Sequence, residues 1–375
     1  MQVGVFDYEL PSELIAQHPL TDRDASKMLV LDASQQVWVD RLFIELPEVL
    51  RGDELLVCNN ARVISARLLG RRLGVRSGRV GKQKRSRQQH LSSQIEVLLL
   101  RQIEADTWES LVRPGRKVGT GERLVFSNGE IEAEVTGRGE LGLRTIRLTV
   151  QGDLSAVLER IGHVPLPPYI DRPDEPSDRE RYQTIFAKRP GAIAAPTAGF
   201  HFSSQVVDRL KSRGVEICEL TLDVGLGTFQ PIRGDVVEDH QMYWESYDIP
   251  ESTAVAVLEA RRTGRPIVAI GTTVVRALES AATPDQRSMR SGAGLSQKRS
   301  KVEILPGRGE TNLFIYPGYE FQVANQLLTN FHLPRSSLLV LVAAFAGRDF
   351  LLRAYRHAVE EKYRFYSYGD CMLMR

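Results

Sequence analysis

The chain has 375 residues, 42% apolar and 26% charged, a globular texture with room for two or three domains of about 150 residues each. Its 30 Gly and 18 Pro are too few for a low-complexity or collagen-like chain. The 49 basic residues nearly cancel the 47 acidic ones, so a net charge of +2 marks no nucleic-acid binder, and any basic footprint must come from local clustering.

Taken in chain order, the opening segment MQVGVFDYELPSELIAQHP lacks both a basic start and an apolar signal-peptide core, so no export is expected. A short helix is expected over 12–17, opened by Pro11-Ser12 and stopped at His18-Pro19, because the residue before a proline avoids helical dihedrals. Strands over 27–32 and 37–43 flank a polar turn, and a third apolar strand, 55–58, follows Gly52-Asp53. Between 61 and 90 stand Arg62, Arg67, Arg71, Arg72, Arg76, Arg79, Lys82, Lys84, Arg85 and Arg87 with no Asp or Glu among them, the cluster that the average conceals. Residues 91–150 are short alternating runs separated by Gly-rich turns, the pattern of an antiparallel sheet or small barrel. Within them Arg113-Pro114-Gly115-Arg116 places proline and glycine for a type II turn.

Beyond Gly152 the texture changes. A helix over 154–160 is followed by a Pro-rich connector over 163–182, after which helices over 206–213, 252–262 and 273–281 alternate with strands over 215–222 and 266–270. Such alternation implies a mostly parallel sheet with crossover helices. A second basic tract, 286–301, reads as a loop, and the longest apolar run, 338–346, is about half of the roughly 20 residues that a bilayer span needs, so it predicts a buried helix and no membrane. The expected fold is α/β: a Rossmann-like α/β main domain from 1–61 and 161–375, interrupted by an inserted antiparallel β-barrel domain, 62–160. Cys58, Cys218 and Cys371 lie far apart without Cys-x-x-Cys spacing, which argues against a disulfide framework or a thiolate zinc site and for a cytoplasmic location.

Several segments could carry chemistry. In GAIAAPTAGFHF, 191–202, small residues surround Pro196 and let a ligand approach the backbone, with Thr197, Gly199 and His201 as contacts; a tight packing loop is the plainer reading. The segment Asp223 to Pro231 follows a strand whose carboxyl end is where parallel sheets gather ligands, which brings in Gly227, Thr228, Phe229 and Gln230. It lacks the third glycine of a dinucleotide fingerprint, and there is no Walker lysine or Gly-x-Ser-x-Gly elbow, so neither nicotinamide nor flavin is expected. Gly271-Thr272-Thr273, between a strand and a helix carrying Arg276, offers either a plain cap or amides for a carboxylate. His240 and Glu245 lie five apart, without metal-ligand spacing, as an acid–base couple or a solvated pair. His332 precedes the apolar helix and either reacts or packs. YRFYSYGD, 363–370, interleaves rings with Arg364, a mixture that stacks bases and pairs phosphates, or a terminal strand that plugs the core.

Read in order, FDYELPSELIAQHP, RDASKMLVLD, NNARVISARL, RPGRKV, AAPTAGFHF, GLGTFQP, GTTVVRALES, YPGYEF, LLTNFHLPRSSLLVLVAAFAG and YRFYSYGD closely resemble the family of S-adenosylmethionine:tRNA ribosyltransferase-isomerases over nearly the whole chain. The resemblance implies transfer of the ribosyl part of S-adenosylmethionine to 7-aminomethyl-7-deazaguanine at the tRNA wobble position, giving epoxyqueuosine, adenine and methionine. It also implies an α/β domain with an inserted barrel. S-Adenosylmethionine is then a co-substrate, with no prosthetic group and no metal. His240, Glu245 and His332 become candidate bases, in that order, and Asp370, kept protonated by burial, or Thr228 a donor to the leaving adenine. The methionine carboxylate falls to Thr272-Thr273 with Arg276, Tyr316 and Asn330 join the substrate contacts, and Arg62, Arg67, Arg113, Arg116 and Arg364 face the tRNA. Two features depart from the family: Tyr243 stands where a second histidine is usual, and the tracts 77–93 and 286–301 are longer than the usual turns. A tRNA methyltransferase or a non-catalytic tRNA-binding protein are the rival expectations.

Overall fold

The structure, a computed structural model, describes residues 1–75, 94–139, 142–225, 232, 234–284 and 302–375. In chain order the strands are β1 (Lys27–Asp32), β2 (Val37–Leu42), β3 (Leu55–Asn59), β4 (Ala61–Val63), β5 (Arg67–Val75), β6 (Gln94–Glu104), β7 (Thr107–Arg113), β8 (Glu122–Phe126), β9 (Ile131–Arg138) and β10 (Leu143–Val150). They continue as β11 (Arg189–Ala192), β12 (Glu216–Leu222), β13 (Glu245–Ile249), β14 (Ile267–Ile270), β15 (Ala282–Pro284), β16 (Val302–Ile304), β17 (Gly307–Thr311), β18 (Gln326–Asn330) and β19 (Cys371–Met374). The fold is mixed α/β with a closed antiparallel barrel inserted in sequence.

One compact unit comprises Met1–Arg62, Pro167–Arg172 and Glu180–Arg375. Among its described residues, nine strands form a sheet in the order β17-β13-β12-β3-β14-β18-β19-β1-β2. The expectation of a mostly parallel sheet needs correction. β12, β3, β14 and β18 run parallel, as does β19 with β1, but β17, β13 and β2 pair antiparallel, as do β18 and β19. The turn between β1 and β2 is only a few residues long, and a connection that short joins antiparallel strands alone. Side chains alternate across the sheet with the two-residue period of a strand. Leu29, Leu31, Leu55 and Val57 enter one core with the helices Glu251–Thr263, Thr272–Ala281, Ser337–Ala346 and Arg348–Glu360, while Met28, Val30, Leu56 and Cys58 enter the other with the helix Ser204–Ser212.

Local chemistry sets the helix ends. Ser203 caps Ser204–Ser212 by accepting from Val206 N at 3.2 Å, and Ser336 caps Ser337–Ala346 by accepting from Leu339 N at the same distance. Among the described residues no helix is long and apolar enough to cross a membrane. The helix expected over 12–17 is only a 3₁₀ turn, Ser12–Leu14. Tertiary pairing overrides the local signal there: Phe365 N donates to Leu14 O at 2.8 Å and Ala16 N to Phe365 O at 3.2 Å, which draws the segment out into a bridge.

The second unit comprises Val63–Leu166 and Pro173–Arg179. Its strands close in the order β10-β7-β6-β5-β8-β9, every neighbouring pair antiparallel. Ile95, Val97 and Leu99 alternate inward on β6 against Leu124, Phe126, Val135 and Ile146. The type II turn expected at 113–116 is instead a 3₁₀ turn, Gly115–Lys117, because the buried Arg144 gathers its carbonyls, donating to Gly115 O at 2.9 Å and Val118 O at 3.2 Å. Gly70 on β5 lets β8 approach, since a Cβ there would lie 2.4 Å from both the Phe126 ring and Val125 O. Gly70→Ala should therefore destabilise the protein by about 1–3 kcal/mol through overpacking, read as a lower denaturant midpoint.

The basic run between 61 and 90 divides. Arg67 donates to Leu166 O at 2.7 Å and Arg72 forks onto Glu122 at 2.9 and 3.0 Å, so these two brace the barrel, whereas Arg76 and the basic residues after it, like the tract 286–301, lie outside the described residues.

Candidate active site

A cavity opens in the main unit beyond the carboxyl ends of β14 and β18, where parallel sheets present their ligand sites. Each strand end supplies part of the wall. After β14, Gly271 turns with φ +97°, donates its N–H to Leu328 O at 2.8 Å, and starts the helix Thr272–Ala281. A φ in that region suits glycine, and no side chain obstructs the first amides of the helix. Gly271 itself occupies the capping position, so neither threonine is the side-chain cap; the buried Thr273 Oγ1 lines the cavity without a hydrogen-bond partner among the described residues.

After β18 come Asn330 and His332. The Asn330 amide donates to Tyr366 O at 2.9 Å and Ser367 O at 3.4 Å, and the Thr197 hydroxyl reaches Asn330 Oδ1 at 3.5 Å. His332 is buried in the cavity wall, its Nε2 3.0 Å from Thr329 Oγ1. Two phenols fix its backbone: Tyr8 donates to His332 O at 2.5 Å, and Tyr355 accepts from His332 N at 3.0 Å. Burial alone pushes the imidazole down to about 3, so it is neutral at pH 7. In the same wall Tyr366 adopts φ +72°, an uncommon conformation for a non-glycine residue, and its buried hydroxyl has no partner among the described residues. Burial raises that hydroxyl above its ordinary value, so it is a protonated donor, and its ring lies 4.1 Å from that of Tyr169.

The expected site residues separate into groups. Thr197, Gly271, Thr272, Thr273, Asn330 and His332 line this cavity. His201 lines a smaller one, its Nδ1 2.7 Å from Ser26 Oγ, and burial pushes it down to about 4. Gly199 serves packing, since a Cβ there would sit 2.7 Å from Thr184. Glu245 and Arg276 are buried as an ion pair that lines neither cavity; Glu245 Oε1 also accepts from Gly225 N at 2.8 Å, and Arg276 Nε donates to Leu313 O at 3.0 Å. Asp370 accepts from Lys27 N at 2.9 Å and Arg364 N at 2.7 Å; burial raises its carboxyl against those two amides, and it too lines neither cavity.

His240 is half-buried with its ring 5.0 Å from Phe314, and Tyr316 packs 5.7 Å from the same ring. Arg62, Arg113 and Arg116 are exposed and Arg364 is half-buried, whereas Gly227, Thr228, Phe229 and Gln230 lie outside the described residues. Sequence reasoning passed over Tyr169, Thr329, Tyr366 and Ser367 as cavity residues; the aromatic run YRFYSYGD was the available signal for two of them. Among the described residues no group of three His, Cys, Asp or Glu could hold a metal ion.

His201 and His332 make a pH prediction. Both have folded values below the usual 6.5, so the unfolded chain binds more protons between pH 6.5 and about 3 to 4. Their stabilisation is complete above pH 6.5 and is lost as pH falls through that window. Denaturant midpoints should drop between pH 7 and 4.5, and less so in His201→Gln/His332→Asn, with a slope reduced by about 1.4 kcal/mol per pH unit for each histidine removed.

Fold and cavity together define an α/β enzyme with a small-molecule site at strand ends. A model of the family described as queuosine biosynthesis protein matches residues 3–374. The chain is 52% identical to the S-adenosylmethionine:tRNA ribosyltransferase-isomerase of Solibacter usitatus and 45% identical to those of Syntrophotalea carbinolica and Moorella thermoacetica, each across 100% of both chains. Among solved structures, the crystal structure of the S-adenosylmethionine tRNA ribosyltransferase from Thermotoga maritima is 36% identical, with a TM-score of 0.50, covering 99% of this chain and 100% of that one. The chain belongs to the queuosine-biosynthesis family of S-adenosylmethionine:tRNA ribosyltransferase-isomerases.

Proposed function

We infer that the chain performs its family's reaction: it transfers and isomerises the ribosyl part of S-adenosylmethionine onto the aminomethyl group of 7-aminomethyl-7-deazaguanine at the tRNA wobble position. The products are epoxyqueuosine, adenine and methionine. The observation that carries this reading is one cavity wall holding a neutral imidazole, His332, with two buried hydroxyls that have no partner among the described residues, Thr273 and Tyr366. Buried polar atoms are normally satisfied, so unpartnered ones facing a cavity are groups kept for a ligand.

The carbon beside a sulfonium is acidic, and the first step is removal of a ribose 5′ proton by a base. His332 takes that role ahead of His240, Glu245 and Asp370, because it alone of the four lines the cavity. The Tyr366 phenol donates to a ring nitrogen of the departing adenine, a part that Asp370, holding two main-chain amides, does not need to play. The methionine carboxylate meets the first amides of the helix Thr272–Ala281 and Thr273 Oγ1, while Arg276 stays with Glu245. The incoming amine must be neutral to attack, which the apolar remainder of the wall favours. No metal or prosthetic group is required, and the free cysteines suit a reducing cytoplasm.

The test is incubation with methyl-labelled S-adenosylmethionine and tRNA bearing the deazaguanine precursor. Adenine and labelled methionine should appear together with a ribosylated nucleoside. Label in the tRNA, with adenosylhomocysteine left over, would make the chain a methyltransferase instead.

A further inference from the structure

Ser367 belongs to two cavities. Beside the one already described lies a smaller one, whose walls include Arg23, Arg181, Phe200, His201 and Tyr368. Its charge is unbalanced. The Arg23 guanidinium donates to Phe200 O at 3.3 Å and Glu180 O at 3.1 Å, and that of Arg181 to Thr21 O at 2.9 Å and Leu20 O at 2.6 Å. Main-chain carbonyls orient both forks without neutralising them, and Arg181 Nε is buried with no partner among the described residues. Neither arginine forms an ion pair with a carboxylate among the described residues, where fourteen other arginines do.

Burial first, and the Arg181 charge second, hold Arg23 below its ordinary value against the opposing pull of the exposed Glu180 carboxylate. His201 is held down to about 4 and adds no charge of its own. The rings of Phe200 and Tyr368 stack at 5.8 Å, with the Arg23 guanidinium 6.0 Å from the Phe200 centroid. Two braced guanidiniums without a counter-ion, half-buried against aromatic faces, match a phosphate monoanion.

We propose that this cavity binds the backbone phosphate adjoining the wobble nucleoside, so that one ligand spans both cavities past Ser367, base in the larger and phosphate in the smaller. The proposal rests on the tRNA-directed reaction above and adds Arg23 and Arg181 to it as RNA-binding residues. The other anion within reach is the carboxylate of the co-substrate, and the two have different consequences. Phosphate binding releases counter-ions from RNA and steepens the salt dependence of RNA affinity, whereas carboxylate binding acts on the KM for S-adenosylmethionine.

Binding of a precursor-bearing anticodon stem-loop should be measured between 50 and 200 mM salt for the unaltered protein, Arg23→Gln, Arg181→Gln and the matching lysine variants. The glutamine variants should bind about tenfold more weakly, with log affinity against log salt flatter by roughly 0.7 for each lost phosphate contact, while the lysine variants keep the slope. KM for S-adenosylmethionine should not move. A stem-loop whose phosphate beside the wobble nucleoside is a neutral methylphosphonate removes the charge from the RNA side and needs no altered protein. It should weaken binding to the unaltered protein by a similar factor. Equal affinity for the neutral and charged stem-loops, or a change confined to the KM for S-adenosylmethionine, would overturn the proposal. A protein that binds RNA with these properties but never releases adenine would instead count against the reaction assigned to it.

Discussion

His332→Asn should lower kcat by about 10²- to 10⁴-fold while the KM for S-adenosylmethionine changes little, the pattern of a group that acts on the proton in flight. Asparagine keeps a polar side chain near Thr329 and leaves the main-chain bonds to Tyr8 and Tyr355 in place, so the loss would report chemistry rather than collapse of the wall. An imidazole that burial holds near 3 is a weak base in the free protein. The substrate changes that balance. The sulfonium already brings positive charge into the cavity, and proton transfer from the neighbouring carbon moves this charge to the imidazole instead of creating a new one. The desolvation that disfavours imidazolium in the free protein therefore does not arise afresh. Because the free imidazole is neutral from pH 8 down to pH 5, kcat/KM should show no acid limb near the usual histidine value of about 6.5 in that range. Steady-state adenine release against pH tests both statements. Activity within threefold of the unaltered protein in His332→Asn would exclude the assignment.

Arg276→Met should be the most damaging of these substitutions for stability, costing about 3–5 kcal/mol, because it strands the buried Glu245 carboxylate without its cation. The same change loosens Gly225, whose amide hangs on the other Glu245 oxygen. A double substitution, Arg276→Met with Glu245→Gln, should recover part of the loss, since removing both charges abolishes the desolvation penalty that removing one exposes. Denaturant unfolding of the two single variants and the double variant measures the coupling. Additive losses would show that the two side chains do not depend on one another.

These two predictions mark where sequence reading reached and where it stopped. The barrel was legible because its strands alternate with a two-residue period and turn on glycines, and the buried helix Ser337–Ala346 because an apolar run of that length has few other places to go. The cavity was legible in outline, because Gly271-Thr272-Thr273 and Asn330 to His332 follow strands that the pattern itself identified. Glu245 and His240 were not, since their spacing carries no information about what each side chain meets. The partner of Glu245 is Arg276 on a helix 31 residues away, a pairing that the spacing does not announce. Tyr366 was hidden for another reason: its place in the cavity wall goes with a backbone conformation that no local pattern announces, on a turn before β19 that the Asn330 amide holds.

The place of β19 in the sheet bears on how the protein is made. It lies between β18 and β1, with Cys371 opposite Met28, so two strands more than 340 residues apart must become neighbours. A ribosome adding about 5–20 residues per second leaves β1 waiting for on the order of tens of seconds before its partner emerges. Throughout that interval one side of the β1–β2 hairpin is an open template for any passing strand. The inserted barrel, built from pairings within one stretch of chain, can close on the ribosome, whereas the catalytic sheet finishes only after translation has passed β19. Crowded nascent chains would therefore misassemble at β1 first, which makes this edge the natural client of a holding chaperone.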